Sequence, residues 1–192
     1  MKGKIFGAAA AAGLVLGGTL PGGEPEHPFG GTVEVRQLPG YHLACGEYRG
    51  DFQGNDEIYD VILEPLLAWA IPEGLWDFPG PTKMILIYPD DPDTTPRDRQ
   101  RLWLGITVPE GTEVPEGISI RRTEPGEYAV GRFEVAAEEF GRAWGYLLGE
   151  WIPAHGYVPA EGYSFEIKKN DSDEHPEKKH LVDICVPVRP AE

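Results

Sequence analysis

Residues 164–168 read Ser164-Phe165-Glu166-Ile167-Lys168, and 80 positions earlier residues 84–88 read Met84-Ile85-Leu86-Ile87-Tyr88. Each pentapeptide sets its central residue, Glu166 or Leu86, between two large apolar neighbours, and each is followed by an acidic loop, Asp90-Asp91-Pro92-Asp93 or Asn170-Asp171-Ser172-Asp173. The likeness continues outward. Ile106-Thr107-Val108-Pro109 falls on Ile184-Cys185-Val186-Pro187 at an offset of 78. Upstream, Val33-Glu34-Val35-Arg36 falls on Ile118-Ser119-Ile120-Arg121, and Ala44-Cys45-Gly46-Glu47-Tyr48 on Ala129-Val130-Gly131-Arg132-Phe133, both at 85. These stretches alternate apolar and polar residues at least in part, the period of a half-buried strand. Pro39-Gly40 and Pro125-Gly126 interrupt them and predict a bend or bulge. The drift from 85 to 78 is trimming of loops, which tolerate it.

Between these strands each half carries one helical stretch. Residues 56–70 place Ile58, Val61, Ile62, Leu66 and Trp69 at helical spacing, with Pro65 expected to kink the helix or end its first part. Residues 136–151 do the same with Phe140, Ala143, Trp144, Leu147, Leu148 and Trp151. Ile71-Pro72-Glu73-Gly74 and Ile152-Pro153-Ala154-His155-Gly156 read as stops. The chain is therefore α+β: a βαββ unit used twice, both copies sharing one antiparallel sheet with the two helices on one face. Two related halves meeting at a pseudo-twofold axis leave a groove, the ordinary place for a small ligand.

Composition bounds the function. The 192 residues hold 17 basic and 32 acidic side chains, a net charge of −15. So acidic a surface repels phosphate backbones and argues against nucleic-acid binding. Two cysteines exclude a disulfide framework and a four-cysteine zinc site. Cys45 and Cys185 lie on strands of different halves and read as buried free thiols, a pairing being the alternative. Lys2 and Lys4 before an apolar run over residues 5–20 have the shape of an export signal, either cleaved or kept as a membrane tether. Residues 1–23 are thus a signal or anchor, 24–31 a linker, 32–188 the folded domain and 189–192 a tail. The expected location is periplasmic, extracellular or membrane-tethered.

Over residues 32–188 the ordered set of phrases resembles the GyrI-like small-molecule-binding domain, also called the AraC-type effector-binding or multidrug-sensor domain. Its strongest pieces are Tyr146-Leu147-Leu148-Gly149-Glu150-Trp151-Ile152-Pro153, Gly156-Tyr157, Phe165-Glu166-Ile167 and Val182-Asp183-Ile184-Cys185-Val186-Pro187-Val188. The resemblance implies a duplicated βαββ fold around a pocket for lipophilic, often cationic or planar aromatic molecules. It places a strand glutamate, here Glu166, in that pocket. It also implies, for some stand-alone members, hydrolysis of cyclopropane-bearing compounds with that glutamate as general acid/base. Lys168-Lys169 departs from the family pattern, which has tyrosine-leucine after the Glu-Ile pair.

The candidate site follows. Glu166 stands where the sister half has leucine, and a buried unpaired carboxylate is costly unless it protonates or meets a cation. It is read as counter-ion to a cationic ligand or as the catalytic acid/base of a hydrolase. Tyr48, Tyr59, Tyr88, Trp103, Trp144 and Tyr163 are the aromatic candidates, able to stack on flat ligands or face cations, and equally able to be core. Tyr59 and Trp144 occupy equivalent helix positions. His175 and His180 flank a turn that fixes no common metal, and the acidic loops lack the EF-hand pattern, so no metal or other cofactor is expected. The leading reading is an exported binding module for a small hydrophobic, cationic or aromatic molecule. A glutamate-dependent hydrolase and a protein-binding scaffold are the alternatives. The scaffold reading expects a filled groove.

Overall fold

The computed structural model describes residues 31–52 and 57–192. The expectations for the leader and linker, residues 1–30, lie outside them.

Among the described residues, nine strands and two principal helices follow in chain order: β1 (Gly31–Leu38), β2 (His42–Arg49), α1 (Glu57–Ala70), β3 (Met84–Tyr88), β4 (Arg101–Thr107), β5 (Ser119–Arg122), β6 (Gly126–Val135), α2 (Phe140–Tyr146), β7 (Tyr157–Pro159), β8 (Ser164–Lys168) and β9 (His180–Pro190). The sheet order is β1-β6-β9-β8-β3-β4-β2-β5, all pairings antiparallel, with β7 added beside the far end of β9. This is the duplicated α+β sheet expected from the repeats. The central six strands read the same from either side of the β3–β8 seam, where Leu86 opposes Glu166.

The interrupted strands do more than bend. Leu38 opposes Gly126, and four residues on, His42 opposes Arg122 in unchanged register. β1–β2 and β5–β6 are therefore two long strands paired in one register from Gly31 with Phe133 to Cys45 with Ser119, each broken at the Pro-Gly phrase. Across the break, the Tyr41 amide donates to the Thr123 side chain at 3.0 Å, and the Thr123 amide to the Tyr41 carbonyl at 3.1 Å. Each half thus lends its first strand to the other, and the sheet curls until its two ends share one ribbon. The concave face is filled by Leu43, Cys45, Ile85, Ile87, Phe165, Ile167 and Cys185, closed by Leu38, Tyr41 and Tyr128 from the ribbon. Tyr128 and Phe165 meet with ring centroids 5.3 Å apart.

Both helices cover the other face. α1 buries Ile58, Tyr59, Ile62, Leu63 and Leu66 on Met84, Leu86, Leu104 and Ile106. α2 and the first residue of the turn after it bury Phe140, Ala143, Trp144 and Leu147 on Ala129, Phe133, Val182 and Ile184. α1 runs through Pro65 instead of ending there. Pro65 and Val61 are both exposed, so the carbonyl that loses its i+4 donor faces water. Val61 accordingly lies outside the buried stripe, at 67% exposure. α2 continues through a π turn, Leu147–Trp151, into a last helical turn, Ile152–Ala154. Gly74 and Gly156 follow the two helices with φ of +68° and +75°, left-handed values that suit glycine as a helix terminator. Cys45 and Cys185 are both free thiols, buried on the concave face.

Candidate functional site: an aromatic cleft at the seam of the two halves

The two halves leave a cleft of about 330 Å³ beside the seam. Tyr88 and residues 89–92 supply the first half's wall, leaving β3. Trp144 and Leu148 from the α2 segment, with Gly162, Tyr163 and Ser164 entering β8, supply the other. The local reasons are simple. Tyr88 is the last residue of β3 and shares the helix-side face of Met84 and Leu86 by strand alternation. Leu148 comes one turn after Trp144, so the two stand on the same helix edge. Leu148 and Tyr163 are each 38% exposed.

Glu166 lies directly behind this wall and is fully buried. Its Oε1 accepts hydrogen bonds from Trp144 Nε1 at 2.8 Å and Tyr88 Oη at 3.1 Å. Its Oε2 accepts from Lys168 Nζ at 2.8 Å. Lys168 is itself 2% exposed, and its ammonium sits 4.2 Å from the centroid of the Phe140 ring. Glu166 and Lys168 are two residues apart on β8 and so share a face. The carboxylate thus has three donors and one full counter-charge, all from this chain. Burial, followed by the Glu166 charge, holds the Tyr88 hydroxyl well above the ordinary tyrosine range, so it stays a donor. Tyr88 and Trp144 meet edge to face at 5.7 Å.

The rim is polar. Asp90 accepts from the Arg101 backbone amide at 2.7 Å and from its guanidinium at 2.6 and 3.0 Å. The Arg101 side-chain bonds hold the Asp90 carboxyl below its usual range. Asp91 is exposed, and its Oδ1 accepts from the Asp93 amide at 2.9 Å. Asp171 repeats this turn in the other half, accepting from Asp173 at 2.8 Å. The acidic loops are therefore aspartate-capped turns. No group of three or more metal-ligating side chains occurs among the described residues.

Of the seven candidate residues, the structure brings Tyr88, Trp144 and Tyr163 onto the cleft with Glu166 behind two of them. Tyr59 is buried in the α1 core, and Tyr48 packs against that core from the edge. Trp103 belongs to the concave face, where its Nε1 donates to Glu47 at 2.8 Å and the Arg121 guanidinium lies 4.6 Å from its ring. It touches the cleft only through Tyr163, ring centroids 5.2 Å apart. His180 is buried against Phe140, whereas His175 sits in the loop between β8 and β9 near Glu134. The cleft residues that were not sequence candidates are Leu148, read only as part of a helix's apolar spacing, Gly162 and Ser164, and residues 89–92, whose loop path no periodicity encodes.

A duplicated βαββ sheet with an aromatic cleft at its seam defines a class of small-molecule-binding domain. The chain belongs to the family of GyrI-like small molecule binding domains, whose family model matches residues 31–189. A DNA gyrase inhibitor of Erwinia billingiae is 31% identical over 132 residues, covering 67% of this chain and 81% of that protein. Among solved structures, the C-terminal domain of EcmrR superposes with a TM-score of 0.63 at 13% identity, covering 83% of this chain and 98% of that one. SAV2435 bound to tetraphenylphosphonium superposes with a TM-score of 0.54 at 13% identity, covering 82% and 94%.

Proposed function

We propose that this chain is a binding module that holds a hydrophobic aromatic small molecule in the cleft between Tyr88, Trp144, Leu148 and Tyr163. The observation that carries the reading is the cleft itself, open at the seam and walled by three aromatic rings and a half-exposed leucine. Its volume, about 330 Å³, is at the lower end of those that take drug-sized ligands. SAV2435, whose structure carries tetraphenylphosphonium, supports a bulky aromatic ligand for this fold. The basic start and apolar run of residues 2–20 support export of the module, with residues 5–20 as signal or tether. Native mass spectrometry of the full chain with a panel of aromatic compounds tests the reading. One-to-one adducts lost in Trp144→Ala support it, and an absence of adducts in the wild type contradicts it.

A second reading, a hydrolase of cyclopropane-bearing electrophiles, is favoured by one contact. Tyr88, on the cleft, donates to Glu166, so the carboxylate is hydrogen-bonded to a side chain of the cleft wall although it does not itself line the cleft. Incubation with a cyclopropane-bearing alkylator separates the two. Ring opening that stops in Glu166→Gln supports the enzyme, and stoichiometric binding without loss of compound supports the module.

A further inference from the structure

Glu166 and Lys168 form a salt bridge at 2.8 Å in which both side chains are essentially inaccessible, 0% and 1% exposed. Resting on the binding function proposed above, we propose that this pair sets the charge of the ligand: the cleft takes uncharged aromatic molecules and discriminates against lipophilic cations, with Lys168 as the specificity-determining residue.

The argument is one of desolvation. A cation entering an apolar cleft loses its hydration and binds well only where a carboxylate replaces it. Glu166 cannot serve while its Oε2 is on the Lys168 ammonium and its Oε1 accepts from two rings of the wall. Asp90 is already paired with Arg101 through three side-chain hydrogen bonds. Asp91 is exposed on the rim, where water screens it. An uncharged ring system loses little on entry and gains the faces of Tyr88, Trp144 and Tyr163. Lys168 is held in place by more than Glu166, since its ammonium also lies over the Phe140 ring, so a ligand at the cleft does not simply displace it.

The test compares an uncharged aryl-phosphorus probe, triphenylphosphine oxide, with a cationic one, tetraphenylphosphonium, by calorimetric titration of the full chain, the change in their affinity ratio between variants being the readout. The wild type is expected to bind the oxide at least about tenfold more tightly. Lys168→Met leaves Glu166 without its cation and is expected to reverse the order. The double variant Glu166→Gln/Lys168→Met, with neither charge, is expected to restore the preference for the oxide and keeps the test open should the single variant fail to fold. A wild type that binds the phosphonium as tightly as the oxide overturns the proposal. So does a folded Lys168→Met that leaves the ratio unchanged, or a double variant that prefers the cation. Binding of neither probe by the wild type overturns the cleft assignment itself, a failure separable from one of charge selection.

Discussion

Leu86 and Glu166 face each other across the β3–β8 seam, the same position of the two halves occupied once by an aliphatic side chain and once by an acid. Leu86 needs only apolar packing, and α1 provides it. Glu166 needs donors, and finds them in Tyr88 from its sister strand, Trp144 from the helix above and Lys168 from its own strand. The acid at this position is matched by differences at its partners' positions, where Tyr88 and Lys168, and Trp144 and Tyr59, are sister residues of unlike chemistry, and two of the three partners double as walls of the cleft.

That arrangement makes the fold dependent on charge balance. Lys168→Met is expected to destabilise the domain by about 3–5 kcal/mol, because it leaves a buried carboxylate unpaired. Glu166→Gln/Lys168→Met should recover most of the loss. Denaturant unfolding of the three proteins measures both, and equal midpoints for the single variant and the wild type would contradict the pairing.

The sheet strands and their duplication were legible in the sequence because alternation and repeat length are written residue by residue. The bounds 84–88 and 164–168 match β3 and β8. The three-residue β7, Tyr157–Pro159, was not legible, since so short a strand has no period and ends in proline. Nor was the exchange of β1 and β5 between the halves, which depends on how the ribbon pairs after it bends. In the site, aromatic residue types singled out Tyr88, Trp144 and Tyr163, but type alone also selected Tyr59 and Trp103, which pack elsewhere. The link from Glu166 to Lys168 carried a readable signal, the two-residue spacing that sets strand residues on one face. Its burial came only from the helix above.

His180 gives the domain a pH dependence. Burial, and then the nearby Lys168 charge, lower its pKa from 6.5 to about 4, and its Nδ1 has no hydrogen-bond partner among the described residues. The unfolded chain therefore binds the extra proton between pH 6.5 and about 4, so the histidine's contribution falls as pH drops through that window. The slope approaches about 1.4 kcal/mol per pH unit, roughly 3 kcal/mol in all. His180→Leu should flatten the urea-unfolding profile over this range. A profile unchanged by the substitution would speak against a buried neutral imidazole.

The two thiols should be inert in the native protein. Burial raises both, Cys45 to about 12, so almost no thiolate exists at neutral pH. A chromogenic disulfide reagent is expected to find no thiol in the folded chain and two in guanidinium, with no change in Tm on adding reductant. Rapid native labelling would place at least one cysteine at the surface.

Gly46 marks where α1 rests on the sheet. A Cβ there would stand 2.5 Å from Ile62 Cγ2, a methyl on a stiff β-branched side chain. Gly46→Ala is expected to cost about 1–3 kcal/mol by overpacking. Ile62→Ala should cost less in that background than in the wild type, a coupling that a double-mutant cycle reads directly. Additive effects would mean that the helix shifts freely.

The cleft is tested most directly by filling it. Leu148 is partly exposed and lines only the cleft wall, so Leu148→Trp adds volume there without entering the core. Titration of triphenylphosphine oxide into wild type and Leu148→Trp, monitored by calorimetry, should show binding to the former. The variant should bind at least about tenfold more weakly at unchanged Tm. Equal affinity for the two proteins would place the ligand elsewhere and contradict the assignment of the seam cleft as the binding site.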